Sequence, residues 1–159
     1  MHWTGGCLCG ALRYEVEAEP LWICHCHCDM CKKHSGAAFM TYIGFPKAAF
    51  RWTRGSPKLY DSSGDAKRGF CATCGSSVTF HRVHETSLAL GGLDHPERLE
   101  VGAQRPVYAD NHIFIGEQVP WLKIDDALDR YEGLPPARED EMAVLAGREI
   151  APCAAAPQE

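Results

Sequence analysis

The chain has 159 residues, of which 45% are apolar and 23% charged, and a formal net charge of −5. That length and composition fit one folded domain with a single core and exclude a disordered chain. The acidic balance argues against non-specific nucleic-acid binding, and no stretch approaches the roughly 18 apolar residues of a membrane span.

The N-terminal run MHWTGGCLCG has neither the basic nor the apolar region of a secretory signal, so the expected location is the cytoplasm, where thiols stay reduced. Residues 11–17, ALRYEVE, alternate apolar and polar and predict a half-buried strand. Residues 21–26 form a second apolar run of strand length, and residues 29–37 read as a helical turn closed by Gly36. Residues 39–45, aromatic and β-branched, predict a strand; Phe50 and Trp52 alternate around Arg51 in another. Gly55-Ser56-Pro57 and Ser62-Ser63-Gly64-Asp65 are turn clusters. Residues 77–81, 87–90 and 112–115 are further short strands. Pro135-Pro136 marks a boundary, so a domain over 1–133 is followed by a tail over 134–159, with a helix expected over 138–149 and a frayed Ala/Pro-rich end. Short strands separated by turns imply a mainly β, antiparallel domain.

Nine cysteines, an odd number, favour metal binding over a disulfide framework. Cys71-Ala-Thr-Cys74-Gly75 has the spacing of a zinc knuckle, in which a tight turn brings two sulfurs to one ion and glycine accepts the positive φ at its end. Cys7-Leu8-Cys9-Gly10 supplies a second pair, so Cys7, Cys9, Cys71 and Cys74 are expected to form one closed, structural four-cysteine site. The run WICHCHCDMCKK then leaves Cys26, Cys28 and Cys31 to converge on a second ion. Three protein ligands leave a tetrahedral zinc one open position, the usual arrangement at catalytic zinc, and a substrate thiolate suits such an ion. Cys24 is open to two readings, a fourth ligand that closes this site or a packed thiol. His25 and His27 alternate with the cysteines and should face away from them.

Around the second motif, Lys32 and Lys33 are candidates to hold a carboxylate of a thiol substrate, and Ser35 and Gly36 to let its backbone approach closely. Solvated lysines and a plain turn are the competing readings. Lys67 and Arg68 precede the knuckle and are expected to balance the charge of the four-cysteine site. His112 reads as a structural strand-start histidine with proton donation as its alternative, and Trp121 as a core anchor.

Taken together, GGCLCGALRYEVE, CHCDMCKKHSGAAF, RGFCATCGSSVTF and HIFIGEQVPWLKI resemble the glutathione-dependent formaldehyde-activating enzyme family, which also includes centromere protein V. The resemblance implies a small zinc-stabilised antiparallel β-tent domain, with a structural zinc on Cys7, Cys9, Cys71 and Cys74. It places the zinc proposed as catalytic on Cys26, Cys28 and Cys31. It also implies carbon–sulfur lyase chemistry with glutathione and formaldehyde as small-molecule partners; the charge and the lack of an apolar span point to no nucleic acid or membrane partner. Two other classes stand beside that one: a zinc-stapled binding or scaffold module with two structural sites, and a redox or metal-buffer role for a labile three-cysteine ion.

Overall fold

The structure is a computed structural model that describes residues 1–64, 66–103, 105 and 110–136. The expected helix over 138–149 and the end of the tail lie outside the described residues.

The molecule is mainly β. The strands are β1 (His2–Gly6), β2 (Arg13–Glu17), β3 (Trp22–Cys26), β4 (Met40–Pro46), β5 (Phe50–Arg54), β6 (Lys58–Ser63), β7 (Ala66–Phe70), β8 (Ser77–His81), β9 (Glu85–Ala89), β10 (Asn111–Ile113) and β11 (Asp129–Tyr131). One helix, α1 (Asp29–Ser35), follows β3. Three strands form a small antiparallel sheet in the order β1-β2-β5, and eight form a larger one in the order β11-β10-β3-β4-β9-β8-β7-β6. The larger sheet is antiparallel from β3 to β6, whereas β10 joins β3 and β11 in parallel. That parallel edge was not visible in the sequence, because β10 is only three residues long and its partner β3 lies 87 positions away.

Period-two alternation decides which side chains meet. Tyr14 and Val16 of β2 pack with Ile23, Ile43, Phe45 and Leu88 of the large sheet, and Cys7 and Cys71 join this core. Ile43, Phe45 and Leu88 are fully buried, and each contributes about 2 kcal/mol by leaving water. The other face of the large sheet carries a second core of Trp22, Cys24, Cys26, Cys28, Cys31, Met40, Tyr42, Ala89 and Ile113. β3 is therefore covered on both sides, which explains its near-continuous apolar run. The two groups of cysteines lie in different cores.

Trp121 is not a core anchor: it is 70% exposed. It follows Pro120 in a turn, and nothing apolar encloses it there. Among the described residues no helix is long and apolar enough to cross a membrane.

Candidate metal centres

The first centre is built from two turns that face each other. β1 ends at Gly6, and the Gly10 N–H donates to the Cys7 carbonyl at 3.1 Å. After β7, the Gly75 N–H donates to the Cys71 carbonyl at 2.9 Å. Gly10 and Gly75 sit at φ 76° and 75°, the left-handed region that a side chain disfavours. Both turns close as the sequence predicted. The Leu8 N–H joins them by donating to Ser76 Oγ at 3.1 Å, and within the first turn the Leu12 N–H donates to Cys7 Sγ at 3.2 Å.

The four sulfurs of Cys7, Cys9, Cys71 and Cys74 lie within 4.8 Å of one another. Cys7 and Cys9 sulfurs are 3.6 Å apart, and Cys9 and Cys71 sulfurs 3.8 Å. A tetrahedral zinc with sulfur at about 2.3 Å places its ligands about 3.8 Å from each other, so this spacing fits zinc. The thiols also titrate against one another. The Ser76 hydroxyl, then its N–H, lowers Cys74 to about 5. The Ala11 N–H favours the thiolate of Cys9, but the neighbouring sulfurs outweigh it and raise that thiol to about 11. Sulfurs packed this tightly cannot all ionise without a cation between them.

The second centre is local. β3 delivers Cys26, the chain turns, and Cys28 becomes the N-cap of α1 with its sulfur accepting from the Cys31 N–H at 3.4 Å. The sulfurs of Cys26, Cys28 and Cys31 lie within 4.8 Å of one another, with Cys26 and Cys28 at 3.5 Å. That spacing also fits zinc. All three residues are buried, at 5%, 7% and 4% exposure. Bonds from the Cys26 and Cys31 thiols, with the Cys31 N–H adding to them, lower Cys28 to about 2; the thiol of Cys26 is pushed far up in exchange.

Cys24 lies on the same sheet face as Cys26 but is not among the three converging sulfurs. Burial, above all, raises its thiol well above the ordinary value. It packs as a small apolar side chain.

Arg68 corrects the sequence expectation. It does not face the four-cysteine site. Its Nη1 and Nη2 both donate to Cys31 Sγ at 3.6 Å, Nη1 also donates to the Tyr42 hydroxyl at 3.0 Å, and the guanidinium lies 4.9 Å from the Phe80 ring centroid. It is 4% exposed. The reason is register: Ala66 and Arg68 share the buried face of β7, while Lys67 points out to pair with Asp61. The buried–exposed–buried start of β7 shows this register, which the residue types alone do not reveal.

The other nominated residues divide. Lys32 is engaged within the protein, paired with Asp29 at 2.8 Å and bonded to the Glu117 carbonyl, so it is not a free anion receptor. Lys33 is exposed. Ser35 Oγ donates to the Cys31 carbonyl at 2.8 Å and, with the left-handed Gly36 at φ 73°, ends α1. A cleft of about 710 Å³ touches Ser35, His34, Met40 and Thr41 on one side and Cys7 and Cys74 on the other. Cys26, Cys28 and Cys31 do not line it.

His25 and His27 do face away from the cysteines, and His27 is fully buried. Its Nε2 meets His112 Nδ1 at 3.0 Å, and His112 Nε2 meets Asp126 at 2.9 Å. His112 is thus a buried link in a hydrogen-bonded chain, consistent with its structural reading. A third group, His2, Glu15 and Glu17, is exposed or half-buried on β1 and β2, and Glu15 pairs with Arg51.

The family model described as "Glutathione-dependent formaldehyde-activating enzyme" matches residues 2–115. An uncharacterized lyase of Schizosaccharomyces pombe is 31% identical over 78 residues, 49% of this chain and 56% of that protein. The chain therefore spans little more than half the length of this curated relative. A Rhodobacter sphaeroides protein of known crystal structure is 28% identical, with a TM-score of 0.47 over 57% of this chain and 87% of its own. With the family match covering well over half its length and all seven converging cysteines, the chain belongs to the glutathione-dependent formaldehyde-activating enzyme family.

Proposed function

We propose that the protein is a zinc-dependent carbon–sulfur lyase that joins and separates a small thiol and a carbonyl compound, with glutathione and formaldehyde as the reference pair. The observation that carries this reading is the uneven division of seven sulfurs, four in one centre and three in the other. Four sulfurs complete a tetrahedral shell, whereas three leave one position for a ligand from outside.

A zinc ion held by Cys26, Cys28 and Cys31 would stabilise the thiolate of a bound thiol at neutral pH and so supply the nucleophile. In the addition, the C–S bond forms as the carbonyl π bond opens, and the proton lost by the thiol ends on the new hydroxyl; cleavage is the reverse. The chain's own residues hold the geometry. The N-cap bond from the Cys31 N–H orients Cys28, and Ser35 with Gly36 fixes the end of α1, which carries Cys31. Cys7, Cys9, Cys71 and Cys74 would clamp a second, structural zinc.

Burial of all three sulfurs favours a second reading, a zinc-stapled module in which both ions are structural. Exchange spectroscopy separates the two. Glutathione and formaldehyde interconvert spontaneously, so the measured quantity is the exchange rate above background. Acceleration by the zinc-loaded protein, abolished in Cys28→Ser, supports the lyase. No acceleration by a protein that retains two ions sinks it.

A further inference from the structure

Arg68 poses a charge problem. Its guanidinium is nine-tenths or more buried, and among the described residues no carboxylate pairs with it. A cation removed from water without a counter-ion is costly. The groups it does touch are Cys31 Sγ, from both Nη atoms, the Tyr42 hydroxyl and the face of Phe80. Its natural counter-ion is therefore the sulfur set of the second centre. Three thiolates around a divalent ion leave a net charge of about −1, and a fourth thiolate makes it about −2. Repulsion of that kind opposes the arrival of an anionic ligand in a dry site.

We propose that Arg68 is a positioning residue of the second centre: by bonding to Cys31 it offsets the charge of the three-sulfur ion, and so favours a thiolate from outside as the fourth ligand. This rests on the open three-sulfur reading of that centre. Tyr42 holds the guanidinium from β4, the strand beside β3, and Phe80 stacks beneath it from β8, so the cation is fixed before any ligand arrives. Cys24 supports the same division of labour. It is buried on the same sheet face without joining the three converging sulfurs, and the protein supplies a positive charge there instead of a fourth sulfur.

The test uses the full chain loaded with cobalt(II), whose thiolate-to-metal absorption reports each sulfur bound. 2-Mercaptoethanol is titrated into the wild type, Arg68→Met and Arg68→Lys. In the wild type the absorption grows to saturation. In Arg68→Met the dissociation constant for 2-mercaptoethanol rises about tenfold or more, and the second ion is lost faster to a chelator while the first is kept. Arg68→Lys, with the charge but not the fork, falls between. A folded Arg68→Met that holds two ions and binds the thiol as the wild type does overturns the proposal. If the wild type itself shows no thiol-dependent absorption, the open-position reading fails and this inference falls with it. Should Arg68→Met not fold, the wild-type Arg68 Nε–H resonance decides: it shifts when the second ion is loaded and again with thiol, and a resonance indifferent to both overturns the proposal.

Discussion

The two cysteine centres solve the same coordination problem by opposite means. The first gathers residues from both ends of a 68-residue segment, in two turns that each depend on a left-handed glycine and on backbone N–H groups. The second takes all its sulfurs from six consecutive positions, Cys26 to Cys31, and relies on a helix cap and a buried arginine from a distant strand. A long-range clamp mainly restricts the unfolded chain, so it is suited to holding the fold. A local cluster closes almost no loop and contributes little of that kind, which leaves it free to serve chemistry.

This contrast can be broken in several places. The largest effect is expected from Cys74→Ser: losing a ligand of the long-range clamp should cost about 5 kcal/mol, roughly 10–20 °C in thermal midpoint, and release its ion. Differential scanning calorimetry with metal analysis reads both. Cys28→Ser should release the other ion and abolish any catalysed exchange, yet leave most of the fold, because serine serves equally well as the N-cap of α1. Circular dichroism showing an unfolded Cys28→Ser protein would mean that the two centres do not differ in role.

A smaller effect of acidification comes from His81, which belongs to neither centre. Burial, with Lys47 adding to it, lowers His81 to about 4. A group whose folded value lies below its unfolded one binds fewer protons when folded, so stability is full above about 6.5 and declines as pH falls toward 4. His81→Gln should therefore lose less stability than the wild type between about pH 7 and 5, by roughly 1–2 kcal/mol. Thermal midpoints of both proteins at the two pH values measure it. The smallest effect belongs to Gly75→Ala. A Cβ there meets nothing within 4 Å, so the cost is only that of the left-handed backbone, about 1 kcal/mol. The same change paired with a chelation curve shows whether the strain is felt at the first ion.

Much of this architecture was legible in the sequence, for identifiable reasons. The short spacings Cys7–Cys9, Cys28–Cys31 and Cys71–Cys74 constrain geometry locally, and Gly10 and Gly75 mark where each turn must end. Strands β2, β3, β4, β5, β8 and β9 carry apolar patterns strong enough to read. What escaped either lacks a local apolar pattern or depends on distant partners. β6 and β11 are exposed or half-exposed and lack an apolar signature, and β1 is more than half glycine and threonine. Arg68 looked like one more basic residue beside the knuckle. Only the strand register, which sets Lys67 against solvent and Arg68 against Cys31, reveals which centre it serves. Trp121 was misplaced because a tryptophan's size argues for burial, while Pro120 and the surrounding turn leave it outside.

The separation of the centres along the chain also sets an order of assembly. Cys26, Cys28 and Cys31 can meet as soon as one short stretch has been synthesised, whereas Cys7 and Cys9 must wait for Cys71 and Cys74. Contacts between such remote positions form slowly, since the loop must close before they repay its entropy. A newborn chain thus offers its three-sulfur nest to solution long before the clamp exists, and the closing of the distant turns becomes the late, committing event of folding.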